Sequence, residues 1–471
     1  MKDRVPTHPG RVRLTHVSDD LYDMRMADDP TESGTPLSKA TLLKDSTAAK
    51  YGFSVSNNPT PDDIFNAAFD FVPTIQLKNV WTSYRTERFP AQSLSNAGTD
   101  LAGGTIGTYA LFAGVSSASI GIADAYNDSL TRTAATKLSE SRSMLACANA
   151  GSYLIFAGGY SGSSPSAVVD AYDSTLTRRI APQLSVARHS LAGATVANMA
   201  VFAGGATTGD RSSLDATVDA YDGTLTRYTI APLNQARCDL AAASTGSLAI
   251  FAGGGSNSSN SNMVESYDHN MTQHVLTQLS VARQRLAGAK SGYNILFGGG
   301  YVEAGSSASM ATPVVDVYDD SLTRTTTTPL IEARCDLAAA STGSLAIFAG
   351  GYKPVDMSFV SSAVVEAYDV LLTRSILTEF NTPRRDAASA KIGSIALFAG
   401  GYDSDTGSSS DVDAYMMAYG LDITIPPWSK YFIGDLTAQE RFTRDSTHIN
   451  ALSTIPFNGY IKRSFSLSGE I

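Results

Sequence analysis

Of 471 residues only three are cysteine and only 17% are charged. Three thiols cannot build a disulfide framework for so long a chain. Cys238 and Cys335 occupy equivalent places in separate repeats, and Cys147 lies near that place in a third. Each reads as a small apolar filler in a reducing compartment. No apolar run approaches the roughly 20 residues that cross a bilayer, so no membrane insertion is expected. Residues 1–14 carry charge and proline but no apolar stretch, which argues against a signal peptide. A net charge of −10 speaks against a phosphate-binding body, so nucleic acid is not an expected partner. The six histidines never recur in register, the Gly-Gly-Gly runs lack a following Lys-Ser or Lys-Thr, and neither a nucleophile elbow nor a zinc spacing occurs. The expectation is therefore no catalytic set, no metal and no cofactor.

What the chain does have is a copy of itself. Ala-Arg-Cys-Asp-Leu-Ala-Ala-Ala-Ser-Thr-Gly-Ser-Leu-Ala-Ile-Phe-Ala-Gly-Gly runs from Ala236 to Gly254 and again from Ala333 to Gly351. Phe112, Phe156, Phe202, Phe251, Phe297, Phe348 and Phe398 close similar units, at spacings of 44, 46, 49, 46, 51 and 50 residues. Periods of this size mean one supersecondary unit per repeat, stable only when stacked on its neighbours. A unit opens with Leu-Ser-x-Ala-Arg, as in Leu184 to Arg188, and passes through small residues such as Leu191-Ala192-Gly193-Ala194. It then enters an apolar run ending Phe-Ala-Gly-Gly, and after a variable loop comes Val169-Asp170-Ala171-Tyr172-Asp173 with its Leu-Thr-Arg.

Short β-type runs between turn residues give four antiparallel strands per unit, with no helical periodicity. Seven such units predict a mainly β chain, a seven-bladed β-propeller. Ala and Gly are poor strand formers. They suit the innermost strand, where seven blades converge on an axis and larger side chains would collide. Residues 82–90 resemble an extra outer strand, which would close the ring by pairing the two ends of the repeat region in one blade. Ala418-Tyr419-Gly420-Leu421-Asp422-Ile423-Thr424 reads as a worn last outer segment.

The Gly-Gly after an apolar strand, the Tyr about 14 to 21 residues later and the Arg before the next inner strand resemble the kelch repeat. The resemblance covers about residues 82–425, as a divergent subtype with Leu-Thr-Arg where many kelch repeats have an aromatic. The first copy departs from it, with Gly98 in place of Arg and Val115 in place of the second Gly. Some kelch propellers, with a galactose oxidase-like fold, are copper oxidases. Here His269 and His274 share one outer segment and supply no inner-strand ligand set, so copper is not expected.

Before the repeats, Arg4-Val5-Pro6-Thr7-His8-Pro9-Gly10-Arg11-Val12, Tyr22-Asp23-Met24, Gly34-Thr35-Pro36-Leu37 and Lys39-Ala40-Thr41-Leu42-Leu43 resemble the N-terminal module of bacteriophage and prophage tail and baseplate proteins. Residues 1–26 read as extended and loop-like. Thr35-Pro36 opens one helix to about Lys50, with Gly52 past its end, and Thr60-Pro61-Asp62-Asp63 opens another to about Asp70. The domains expected are 1–80, a small, partly helical attachment module; 81–425, the kelch-type propeller; and 426–471, a C-terminal extension to which no role is assigned.

In a four-stranded antiparallel blade, the second-to-third loop and the link into the next inner strand emerge on one face. The variable loops, residues 160–167, 206–217, 255–263, 301–313, 352–363 and 402–411, therefore share a face with the Leu-Ser-x-Ala-Arg segments, and loops on a rigid scaffold carry binding. Arg142, Arg188, Arg237, Arg283, Arg334 and Arg384 would ring the entrance there and hold acidic or polyhydroxyl ligands by forked hydrogen bonds. The alternative is a structural pair with Asp170, Asp219, Glu265, Asp316 or Glu366, which strict repetition favours. Two residues on stand Asp100, Met144, Ser190, Asp239, Arg285, Asp336 and Asp386. In a strand these would share the arginines' side, and their variety suggests a wet channel, with Asp239, Asp336 and Asp386 as candidate ligand contacts. Those carboxylates would also be the acid and nucleophile of a glycosidase, if their separation allowed it. Asp403-Ser404-Asp405-Thr406-Gly407 faintly matches a calcium loop, with its Gly one place early. Tyr126, Tyr172, Tyr221, Tyr267, Tyr318 and Tyr368 recur in register and read as blade packing.

The two resemblances imply a tail-associated structural protein of a phage or prophage virion, made in the bacterial cytoplasm. Its N-terminal module would meet other tail or baseplate proteins, and its propeller would recognise a host surface component, a glycan or a protein. The alternatives are a protein-binding spacer within the tail or baseplate, or a carbohydrate-active enzyme. A homo-oligomer stays open: tail tips are often trimeric in such families, and no heptad seam is present to build one.

Overall fold

The small-residue run of every repeat is a strand, paired antiparallel with the apolar strand after it. In the third repeat Ala192–Val196 pairs with Met199–Ala203, then Val218–Tyr221 and Arg227–Ile230 follow outward. The computed structural model describes residues 12–18, 21–26, 84–114, 121–256, 259–303, 310–355 and 358–419. Within these, seven four-stranded sheets form, six of them meandering in chain order from inner to outer strand. The architecture is the expected seven-bladed β-propeller, and no helix occurs among the described residues. The two expected N-terminal helices, residues 115–120 and residues 420–471 lie outside them.

Crowding at the axis explains the inner-strand composition. A Cβ on Gly193 would lie 2.6 Å from the Cys147 carbonyl oxygen of the preceding blade, and one on Gly103 would lie 2.6 Å from that of Ser389 in the last blade. Backbone is the obstacle in both cases, so packing overrides strand propensity. Further out, the apolar core lies between blades: Ile155 and Val169 of the second blade cluster with Phe202 and Tyr221 of the third. The central Phe of each second strand meets the Tyr of the third edge-to-face, as in Phe156–Tyr172 at 5.7 Å and 87°. The Tyr hydroxyl donates to a lead-in carbonyl, Tyr221 to Pro182 at 2.9 Å. All six recurrent tyrosines have this packing role, with fully buried side chains.

A seventh tyrosine was hidden. In the last blade Val412-Asp413-Ala414-Tyr415 takes the third-strand place, Tyr415 packing on Phe398 at 5.8 Å and donating to Thr378 O at 2.8 Å. The motif therefore stands ahead of Ala418, where the sequence had suggested a worn copy; what it lacks is the Asp-x-x-Leu-Thr-Arg that follows most of the other tyrosines, Met416-Met417-Ala418-Tyr419 standing there instead. The outer strand of this blade is Tyr84–Pro90, paired with Val412–Tyr419. Arg88 Nη1 reaches Asp413 at 2.9 Å, joining positions 325 residues apart. The ring is thus closed by a strand from ahead of the first repeat, as residues 82–90 suggested.

By contact density the chain falls into two units, Thr86–Met417 and Met1–Arg85 with Ala418–Ile471. What is described at the start of the second of these is a hairpin, Val12–Ser18 with Leu21–Met26, Val12 opposite Met26 and Leu14 opposite Met24. The extended reading of residues 1–26 needs that addition: the alternating Val-Arg-Leu-Thr pattern pairs with a second strand.

Candidate ligand-binding face

The six arginines are interior. Arg142, Arg188, Arg237, Arg283, Arg334 and Arg384 are fully buried. Each pairs with the third-strand carboxylate of its own blade: Asp170 at 3.0 Å, Asp219 at 3.0 Å, Glu265 at 2.6 Å, Asp316 at 2.9 Å, Glu366 at 2.7 Å and Asp413 at 2.7 Å. Arg142 and Arg283 also donate to the carbonyls of Phe156 and Phe297, at 3.1 and 2.9 Å. They do not ring the mouth, and a ligand in solvent reaches none of them. The structural pairing accounts for them, because a buried guanidinium requires a carboxylate and carbonyls around it. The first blade, with Gly98, shows the alternative. Asp124 there accepts from the amide and hydroxyl of Ser95, at 2.7 and 2.8 Å.

Two residues beyond each arginine the backbone departs from a strand. Asp100, Met144, Ser190, Asp239, Arg285, Asp336 and Asp386 all have φ between 51° and 55°. In this left-handed conformation strand alternation no longer applies, so the side chains leave the arginines' side. A tertiary bond holds each one there. The amide of every member donates to the carbonyl of its counterpart in the preceding blade: Met144 to Asp100, 3.0 Å; Ser190 to Met144, 2.9 Å; Asp239 to Ser190, 3.0 Å; Arg285 to Asp239, 2.8 Å; Asp336 to Arg285, 3.0 Å; Asp386 to Asp336, 3.0 Å; and Asp100 to Asp386, 3.3 Å. The result is a closed ring of seven backbone hydrogen bonds about the axis. All seven residues are half-buried.

The variable loops share this end. Ser143, His189, Cys238, Gln284, Cys335 and Arg385, which directly precede ring members, bridge to Tyr160, Ala206, Gly255, Tyr301, Tyr352 and Tyr402, which directly follow the Gly-Gly pairs. Both glycines of a pair need positive φ. Gly158, at +63°, has no room for a Cβ, which would lie 2.6 Å from the Arg188 carbonyl of the next blade. Adjacent loops are tied together, Asn260 donating to Tyr301 O at 3.1 Å and Ser361 to Tyr402 O at 3.2 Å.

Charge at the mouth is uneven. Arg285 lies 3.8 Å from Asp239 and 3.6 Å from Asp336, Arg211 lies 3.3 Å from Asp239, and Arg385 donates to Asp386 at 2.7 Å. Burial and the Asp336 carboxylate push Asp100 up to about 6, against the pull of Arg385 and Arg211. Burial, then Asp336 and Asp100, push Asp386 well above the usual carboxylate range. Burial also raises Asp336, although Arg285 opposes it. Around the ring stand aromatic faces. Arg385 lies between Tyr352 and Tyr402, at 4.5 and 4.9 Å from their centroids, Phe359 stacks on Tyr352 at 5.0 Å, and Tyr160 meets His189 at 5.2 Å. Carboxylate acceptors, guanidinium donors and ring faces together suit a polyhydroxylated ligand.

Of the sequence candidates, the structure brings Asp239, Asp336 and Asp386 to one ring and leaves the six arginines outside it. Arg211, Arg385 and the four loop tyrosines at 160, 301, 352 and 402 were missed. Their one signal was position: a Tyr directly after Gly-Gly in four of seven repeats. The three cysteines are free; burial pushes the thiols of Cys147 and Cys238 up to about 12, which suits fillers better than nucleophiles. Asp403 turns inward on its own loop, accepting from Thr406 at 2.9 Å. No group of three or more metal-ligating side chains occurs among the described residues.

No protein-family model matches this chain, and no curated protein does. Among solved structures, one titled "Structure of YjhT" aligns with 57% of this chain and 93% of its own, at 12% identity and a TM-score of 0.48. That likeness is too distant to bear on function.

Proposed function

We propose that this chain is a binding protein rather than an enzyme: a kelch-type propeller of a phage or prophage tail, whose loop-bearing face takes a host-surface glycan. The observation that carries the binding half is the ring of positive-φ positions at the loop-bearing end. Seven equivalent backbone positions there present unlike side chains, Asp, Met, Ser, Asp, Arg, Asp and Asp, inside a rim containing Tyr160, Tyr301, Tyr352 and Tyr402. A position needed only for the ring of backbone bonds would favour Asn, Asp or Gly throughout. Met144, Ser190 and Arg285 depart from that preference at the face where the loops vary. The tail assignment rests on the resemblance of residues 1–60 to tail and baseplate modules, and the kelch assignment on the order of Gly-Gly, Tyr and Arg. Glycan-array and host-cell pull-down measurements with the full chain test the binding half. Binding that survives shortening of loops 352–363 and 402–411 would count against this face. Deleting residues 1–72 tests the attachment half, since particles that still carry the truncated chain would refute it.

A protein-binding spacer is the second reading. It is favoured by Tyr293, Val370 and Leu371, which are exposed on turns of the fifth and sixth blades at the other end of the strands. Defined contact with another virion protein, without binding to cells, would select it.

A further inference from the structure

Alone among the histidines of the propeller, His189 is buried, with 1% of its surface exposed. Its Nε2 lies 3.0 Å from Thr208 O, and a carbonyl can only accept, so Nε2 carries the hydrogen. In the neutral ring Nδ1 is then an acceptor, filled by the Ser190 hydroxyl at 3.0 Å. The same hydroxyl oxygen lies 3.4 Å from Nη2 of Arg211. The charged and titratable groups facing the imidazole are Arg211 of loop 206–217, Asp239 of the fourth blade and Tyr160 of the second blade's loop, edge-to-face at 5.2 Å. Asp239 is already engaged, by Arg211 at 3.3 Å and Arg285 at 3.8 Å.

Loop 206–217 is braced from within. Asp210 accepts from the amide and hydroxyl of Ser212 at 3.1 and 2.7 Å, the Ser213 amide donates to Thr208 Oγ1 at 3.1 Å, and the Thr207 amide donates to Ser213 O at 2.9 Å. Its tip rests on its surroundings through Thr208, Arg211 and Gly209, where an added Cβ would lie 2.5 Å from the Tyr160 hydroxyl. Arg211 has φ of 57°, a conformation that a non-glycine residue keeps only where its neighbours hold it. His189 cannot withdraw in the same way. Its amide and carbonyl both bond Ala206, at 3.0 and 2.8 Å, and the next amide, of Ser190, belongs to the ring of seven.

We propose that His189 is a pH latch: neutral, it pins loop 206–217 beside the ring, and protonated, it drives Arg211 and the loop tip away. An imidazolium and the Arg211 guanidinium would both donate to one neutral oxygen, that of Ser190, with Asp239 as the carboxylate they share. Burial depresses the imidazole below its ordinary value; Arg211 adds to this, while Thr208 O and Asp239 oppose it. The closed loop therefore takes up the proton less readily than the open one. Closure is complete above the ordinary imidazole value and is lost as pH falls toward the depressed one. The device does not depend on what the face binds.

Hydrogen exchange of the full chain tests it, read by mass spectrometry on peptides spanning 206–217 at pH 7.5 and pH 5 and corrected for the intrinsic rate. The open fraction should rise several-fold on acidification, with a ceiling of about thirtyfold for a group that titrates near 6.5 once released. His189→Gln keeps a donor toward Thr208 and has no charge to gain; Gln284 stands in the equivalent place of the fifth blade. The loop of this variant should exchange alike at the two pH values. Imidazole NMR on the labelled native chain supplies a second reading, with the His189 signal identified by its loss in His189→Gln. Its midpoint should lie below about 6.5, and Arg211→Gln should move it upward, which a histidine depressed by burial alone would not show. A midpoint at or above the ordinary value, native exchange that ignores pH, or an equal pH response in His189→Gln overturns the latch. If His189→Gln does not fold, the native spectrum decides: no histidine signal moving upward in Arg211→Gln overturns it as well.

Discussion

Arg188→Ala tests whether the repeated arginines serve the fold or a ligand. In the native protein Nη2 of Arg188 donates to Asp219 at 3.0 Å and to Phe202 O at 3.3 Å, and both charged side chains are fully buried. Truncation leaves Asp219 with the Ser185 amide and hydroxyl, at 3.1 and 2.9 Å, and Thr229 at 3.3 Å. It also empties the volume of a guanidinium and its stem. Removing one partner of such a pair costs about 3–5 kcal/mol. The first blade sets the lower end of that range, because among the described residues Asp124 is held by two bonds from Ser95 without a guanidinium, and Ile122 and Leu101 crowd Gly98. The paired replacement Arg188→Met with Asp219→Leu should recover most of the loss, since it buries apolar groups of similar volume and leaves no orphan charge. Denaturant unfolding of the three proteins, followed by circular dichroism, reads the difference. If Arg188→Ala unfolds at the native midpoint while glycan binding disappears, the structural assignment of all six arginines is wrong.

Gly350→Ala should destabilise the sixth blade by about 1–3 kcal/mol, because φ is +63° and the added Cβ meets the Arg384 carbonyl; a native thermal midpoint would contradict the packing described. Asp100→Asn probes the mouth through pH. A carboxyl whose folded pKa lies above its unfolded value binds more protons in the folded state, so its contribution falls as pH rises from about 4 to about 6 and stays lost above. The variant should therefore melt above the native protein at pH 7.5 and close to it at pH 4; the reverse order would show that Asp100 is stabilised as a carboxylate. A chain beginning at residue 82 should keep the propeller's melting transition, whereas one beginning at residue 92 lacks Tyr84–Pro90 and the Arg88–Asp413 pair and should melt lower and expose Val412–Tyr419 to hydrogen exchange. Equal protection in the two would mean that the ring does not depend on this strand.

The repeat, the blade count and the small inner strand were legible in the sequence because they depend on local pattern and on volume. Ala and Gly in register through seven copies leave a crowded axis as the simplest cause, and a Tyr paired with each Phe states its own packing. The arginine–carboxylate pairs were legible for the same reason, as partners that recur together. Tyr415 escaped because its blade takes its outer strand from Tyr84–Pro90, so no Leu-Thr-Arg follows it to mark the motif.

The ring at the loop-bearing end belonged to tertiary structure. Reading Arg and the residue two places on as neighbours on a strand assumes an extended backbone between them. That assumption fails in every blade, because a hydrogen bond from the preceding blade turns one residue to positive φ. No window of sequence contains that bond, whose partners lie a whole repeat apart. With that turn the arginines lie buried in the blade, while Asp100, Asp336 and Asp386 stand half-buried beside one another. Sequence therefore determined what repeats and how large it can be, while closure of the ring decided which charges meet solvent.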